Sequence, residues 1–230
     1  MLAVAVTQRT GLLRRHKTLR RGRRKIENPA TARRILAAAE QHFAAQGLAG
    51  ARTEQIATAA HANKAMLYYY FGDKRHLHRA VLENLFRQLR NGVYQPQRKQ
   101  ASPRERLREF ITAYFDFLAS HPNYPRLVHR EAMESTKEFD WIVRQYLRPF
   151  HNQLVRTLEE GIAAGEFRTA DPHDTAFTIM GMTTSYFAAA AIFSQVAGHN
   201  LLAPHALAAR KQALLDFLDH GLSRTKARAR

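Results

Sequence analysis

The chain is 230 residues long, 45% apolar and 10% aromatic, with no cysteine and a formal charge of +17. This is enough chain for one large domain or a small one joined to a medium one, while the missing thiols exclude a disulfide framework, a thiolate zinc site and a cysteine nucleophile. The charge is polarised: residues 1–30 hold nine Lys/Arg against Glu27, residues 31–95 nine against four acids, residues 224–230 four bases alone, and residues 96–223 are neutral. Such a distribution points to a polyanion met at one end of the molecule.

The opening MLAVAVTQRTGLL has neither a basic region before it nor a small-residue cleavage site, so it is not read as a signal peptide, and a cytoplasmic protein is expected. With the run RRHKTLRRGRRK, residues 1–28 form a basic arm expected to be disordered. Its Arg20, Arg21, Arg23 and Arg24 are of the type that favours a narrow, negative minor groove. An unstructured counter-ion sponge, or an overlong assignment of the start site, is the alternative.

Asn28 and Pro29 read as N-cap and first helical residue, with Ile35, Leu36, Ala39 and Phe43 at helical spacing until Gly47. Thr53 can cap a short helix through Ala60 and Asn63 another through Phe71, joined by His61-Ala62. Two short helices on so brief a turn are the signature of helix-turn-helix. A long helix runs from Lys74 to Tyr94 and ends at Pro96; Ser102-Pro103-Arg104-Glu105 is a capping box opening a helix to Ser120. After the break at His121–Pro125, helices are expected over 126–135, 138–164, 172–197 and 204–222, making about nine in an all-α fold, with residues 224–230 as a basic tail. Thr175–Gly198 carries no formal charge over 24 residues, long enough to cross a bilayer. Its Thr, Ser and Gln side chains favour a helix covered by protein, and no membrane contact is expected.

The stretch TARRILAAAEQHFAAQGLAGARTEQIATAAHANKAMLYYYFGDKRHL, residues 31–77, resembles the TetR/AcrR family of bacterial transcriptional regulators. The most specific part is LYYYFGDK, where helix, aromatic pair, turn and lysine follow in order. The resemblance implies a three-helix DNA-binding domain over 29–77 and a helical effector-binding and dimerisation domain over 78–223. Lys64, Ala65 and Met66 form the exposed first turn of the reading helix, and Tyr68 matches a position placed against base edges or methyls. Thr53, Tyr69, Tyr70 and Lys74 fall to the phosphates, Lys74 together with free N–H groups at its helix start. Leu67 and Phe71 should pack inward. His61 stands where the family often has glycine, so the turn must accept histidine at positive φ or change shape, and Tyr70 stands where the family often has histidine.

In the neutral body, Phe110, Tyr114 and Phe117 recur at helical spacing, as do Met133, Trp141, Tyr146 and Phe150 across two helices, and Met180, Thr184 and Phe187 on the uncharged one. In the TetR family such residues surround an effector cavity; core packing is the alternative for each. Asp116, His129, Arg130, Glu131 and Arg144 could orient a ligand. Leu207, Leu214, Leu218 and Leu222 make a stripe on the last helix that is expected to dimerise, unless it closes the protomer's own core. His76 and His78 face different sides of their helix and read as surface or capping residues, so neither metal nor cofactor is expected. No nucleophile elbow, P-loop or dinucleotide fingerprint points to an enzyme. The sequence therefore reads as a ligand-responsive repressor that binds a palindromic operator as a homodimer and is released by a small, largely apolar effector. The alternative is a sequence-tolerant nucleic-acid-packaging protein.

Overall fold

The first helix, α1 (Pro29–Gly50), starts on the expected proline and buries Ile35, Ala39 and Phe43. Gly47 adopts φ 71° and ψ 177° and kinks it, and the helical path resumes to Gly50, so glycine bends the helix where it was expected to stop it. These and the following elements belong to a computed structural model that describes residues 29–93, 101–134 and 137–223. The arm with Arg20, Arg21, Arg23 and Arg24, the Tyr94–Pro96 stop and the tail 224–230 lie outside the described residues.

The helices α2 (Thr53–Ala59) and α3 (Lys64–Phe71) pack on α1, and α4 (Lys74–Val93) leads away from them. A row of buried residues, Leu77, Val81, Leu82, Leu85, Phe86 and Leu89, fits α4 between α1 and α5 (Pro103–Ser120). The expected capping box opens α5: the Ser102 hydroxyl accepts from Glu105 N, and the Glu105 carboxylate accepts from Ser102 N. The next helix, α6 (Tyr124–Glu134), begins two residues before the expected start. Pro125 is tolerated there because first-turn N–H groups have no partner within the helix.

The expected helix over 138–164 is divided into α7 (Lys137–Ile142), a π-helical turn (Val143–Leu147) and α8 (Arg148–Ala163). Pro149 supplies the reason: it has no N–H to close the regular bond, and its ring crowds the preceding turn. Arg148 N instead reaches back to Val143 O. The expected helix over 172–197 is α9 (Pro172–Ala188) and α10 (Ala190–Ala197), bent by 70° at Ala189. Tertiary bonds hold the bent arm, with the Tyr186 hydroxyl donating to Leu201 O at 2.8 Å and Leu201 N donating to the Ser194 hydroxyl at 3.1 Å. Among the described residues no single helix is long and apolar enough to cross a membrane, and this bent pair passes on composition and length only as a pair.

The final helix, α11 (Pro204–Leu222), packs on α5. The architecture of the described residues is all-α, with one isolated antiparallel bridge between Phe167 and Ser223. One contiguous apolar core runs from Ile35 in α1 to Leu222 in α11. Here the stripe assigned to dimerisation is corrected. Leu214 and Leu218 are 2% and 7% exposed within the protomer, Leu222 is also buried and Leu207 half-buried. The stripe closes the protomer's own core; the large apolar side chains left exposed on α9, α10 and α11 include Phe177, Phe193, Val196 and Phe217.

Candidate nucleic-acid interface and effector cavity

The turn between α2 and α3 is built by His61. It takes φ 48°, the only positive-φ residue other than glycine among the described residues. His61 N bonds to Thr58 O and Ala62 N to Ala57 O at 3.0 and 2.9 Å, the paired bonds of a Schellman motif. Arg34 of α1 donates from Nε to Ala60 O at 3.0 Å and satisfies a further carbonyl at the end of α2. The Asn63 side chain accepts from Met66 N at 2.8 Å, so α3 starts where expected.

That start leaves Lys64, Ala65, Met66, Tyr68 and Tyr69 exposed on α3 and buries Leu67; Tyr70 and Phe71 are half-buried. Tyr70 packs edge-on between Tyr69 and Phe71, with centroids at 5.2 and 6.4 Å. The aromatic run therefore divides: Tyr68 and Tyr69 face outward, while Tyr70 and Phe71 brace the helix. Lys64 pairs with Glu54 of α2 and sits over the Tyr68 ring at 5.8 Å. The bond from Lys64 holds the Glu54 carboxyl below its usual range, and Glu54 in turn raises the Lys64 ammonium.

Two assigned phosphate contacts are differently placed. Thr53 is the first residue of α2; Arg52 holds the cap position without a side-chain bond. Thr53 is buried, and its hydroxyl lies 3.3 Å from a Glu54 carboxylate oxygen, so it neither caps the helix nor presents a free hydroxyl. The Lys74 ammonium donates to Ala49 O and Ala51 O at 3.2 and 3.1 Å, tying α4 to the end of α1. Two of its three donors are thus committed. At the α4 start the Asp73 carboxylate accepts from His76 N at 2.8 Å, and this bond, with the His76 ring, lowers the Asp73 carboxyl. An acid occupies an N–H group that had been assigned to phosphate.

A cavity of about 680 Å³ opens between α5, α6, α9 and α10, within the range of about 300–1,000 Å³ typical of small-molecule sites. Its lining includes Tyr114, Pro125, Arg126, Val128, His129, Phe139, Leu147, Met180, Thr184 and Ile192. Tyr114, His129, Met180 and Thr184 are therefore brought together as expected. The Tyr114 and Thr184 hydroxyls bond at 2.8 Å, and burial pushes the Tyr114 phenol up to about 12.

The other candidates are elsewhere. Phe110 and Phe150 are core, with rings 4.7 Å apart; Phe117 packs on Tyr124 and Tyr146 on Phe86. Trp141 lies under Arg79 at 4.5 Å. Phe187 lines a separate recess that also reaches Arg126. Met133 is exposed and lines a third recess of about 660 Å³, with Ala44, Ala45, Arg126, His129, Arg130 and Glu134. Their spacing registered burial, and rings pack on one another as readily as they line a cavity.

Sequence reasoning missed the link from cavity to reading head. His78 of α4 and Glu131 of α6 are 3% and 2% exposed and meet at 3.2 Å between Nε2 and Oε1. His78 is thus no surface histidine. Its ring lies edge-on to Phe43 of α1 at 4.8 Å. Asn123 donates to Glu40 of α1 at 3.1 Å, and Arg130 lies so close over Gly47 that a Cβ there would stand 2.9 Å from Nη1. One side of α6 lines the cavity while others hold α1 and α4. Among the described residues no group of three or more His, Asp or Glu side chains is placed to hold a metal ion.

Residues 35–81 match the family described as bacterial regulatory proteins, tetR family, and residues 103–218 match the tetracyclin repressor-like C-terminal domain. The HTH-type transcriptional repressor NicS of Pseudomonas putida is 31% identical over 150 residues, 65% of this chain and 70% of that protein. The HTH-type transcriptional repressor SCO4008 of Streptomyces coelicolor is 38% identical over 105 residues, 46% of this chain and 51% of that one. Among solved structures, the ketosteroid transcriptional regulator KstR2 of Mycobacterium tuberculosis superposes with a TM-score of 0.72 at 20% identity, covering 87% of this chain and 98% of its own.

Proposed function

The chain belongs to the TetR family of bacterial regulatory proteins, and on that premise we propose that it is a cytoplasmic, ligand-responsive repressor that binds a palindromic operator as a homodimer. The observation that carries the reading is α3: a capped helix with Lys64, Ala65, Met66, Tyr68 and Tyr69 outward on a turn fixed by His61. Lys64, Met66 and Tyr68 are assigned to base edges, and Tyr69, Tyr70 and the remaining donor of Lys74 to phosphates. The repressor sense is supported by the names of the two relatives. A single head of this size reads too few bases, so two are needed about one turn of DNA apart. For the second copy the open candidates are Phe177, Phe193, Val196 and Phe217.

In this reading residues 29–77 bind DNA, residues 78–223 bind the effector and the partner copy, and the protein carries out no turnover. An effector in the cavity displaces α6. The His78–Glu131 pair passes the movement to α4, and the Arg130–Gly47 and Asn123–Glu40 contacts pass it to α1. The two heads then lose the spacing of successive major grooves.

The test is selection of bound sequences from random duplexes with the full chain, followed by affinity measurements across salt. One palindromic sequence should be enriched and bound about a thousandfold or more above random duplex. Lys74→Ala should weaken all duplexes alike and flatten the salt slope by about one unit. Equal affinity for every duplex would instead favour nucleic-acid packaging driven by the basic arm.

A further inference from the structure

Arg126 and His129 line both the apolar cavity and the basic recess beside α1, so a ligand filling the first ends at them. They stand with Arg130 at helical spacing i, i+3 and i+4 on α6. Several bases elsewhere in the fold are spoken for: Arg79 pairs with Glu83, Arg104 and Arg108 with Asp219, Arg106 with Glu160 and Lys211 with Asp116. Among the described residues the side chains of Arg126, His129 and Arg130 have no hydrogen bond or ion pair, and Glu134, exposed, is the only acid lining the recess. Arginine is thus left unopposed where an apolar cavity opens, beside a helix that touches the reading head.

Resting on the effector reading above, we infer that the cavity takes an amphipathic anion, a carboxylic acid with an apolar body. The carboxylate accepts from the Arg126 guanidinium, with the His129 imidazole as second donor. The body lies against Val128, Leu147, Met180 and Ile192. Binding would join a charge to α6 next to Arg130, the residue seated on Gly47 of α1, so the ligand differs in its effect from a neutral body of the same shape.

The experiment measures binding of octanoate and cinnamate, and of their neutral amides, to the full-length protein by calorimetry and thermal melting. It uses wild type, Arg126→Ala and Met180→Trp, the last to fill the cavity. Both variants should melt near the wild-type temperature without ligand, since Arg126 is exposed and Met180 borders empty space. At least one acid should bind wild type about tenfold or more above its amide, and each variant should lose about tenfold or more for that acid. Equal binding of acid and amide, with loss only in Met180→Trp, overturns the anion inference and leaves the effector cavity standing. Loss only in Arg126→Ala overturns both, because the acid is then held by a surface cation. Failure of both acids to bind wild type at millimolar concentration overturns the inference, while sequence-selective DNA binding is decided by the separate duplex selection.

Discussion

Replacing Glu131 by alanine should separate the stability of the α4–α6 contact from its use in signalling. The carboxylate lies 3.2 Å from Nε2 of His78, and the two side chains are 2% and 3% exposed. His78 Nδ1 already has no hydrogen-bond partner among the described residues, so Glu131→Ala would leave both ring nitrogens buried and unmatched. An orphaned buried polar group costs about 1–3 kcal/mol, and the volume lost beside His78 adds to it, so the expected cost is about 2–3 kcal/mol. With a urea dependence of about 2–3 kcal/mol per molar, the midpoint falls by about 1 M. Glu131→Gln keeps an acceptor at the same place and should cost less than about 1 kcal/mol. Operator affinity, measured below the unfolding range, should survive in both variants because α3 is untouched. The release of operator by whichever acid binds should shrink in Glu131→Ala by about five- to a hundredfold, the span of ordinary coupling energies. Equal midpoints for the alanine and glutamine variants would show that the pair does not hold the helices. A destabilised alanine variant that still releases DNA normally would move the signal to another contact.

Four further outcomes follow from local geometry. Glu54→Gln should raise affinity for every duplex in titrations at low salt, because it removes an acid beside the operator and frees Lys64 from its partner; unchanged affinity would mean that the pair stays intact on DNA. His61→Gly should raise the urea-derived stability by about 1 kcal/mol, since φ 48° strains a histidine and suits glycine; a loss would assign the imidazole a contact. Burial first, and His173 second, lower the pKa of His151 below its ordinary 6.5, so the unfolded chain binds more protons between the lowered value and 6.5. Stability should fall as acid is added through that window, and His151→Gln should flatten the fall in urea midpoints between about pH 7.5 and 5.5. Phe217→Glu should give monomers by sedimentation and abolish tight operator binding without unfolding, as this ring is 63% exposed, whereas a persisting dimer would place the interface elsewhere.

The difference between Phe217 and its neighbour Leu218 shows where sequence reading stops. Helix starts were legible at Pro29, Asn63, Ser102 and Pro172 because a helix start is a local event, settled within four residues of chain. At His61 the resemblance left two outcomes, a positive φ or a changed turn, and the turn takes the first. The stripe Leu214, Leu218 and Leu222 was correct as a buried face, but periodicity states only that a face is covered, and α5 of the same chain covers it as well as a second copy could. The bend at Ala189 had no proline or glycine to announce it, since it is held by Tyr186 and Ser194 reaching the 199–203 segment. Lys64 and Lys74 were visible as cations, yet their partners, Glu54 and the carbonyls of Ala49 and Ala51, are ten and more residues away. The same limit governs the effector site. Arg126 has no special surroundings in the sequence, and becomes informative only after the fold has assigned Asp116, Glu160 and Asp219 to other bases. A cation left over from that assignment at the edge of an apolar cavity is a recognition element because folding has not neutralised it, and charge that folding leaves unpaired is what a ligand can still compensate.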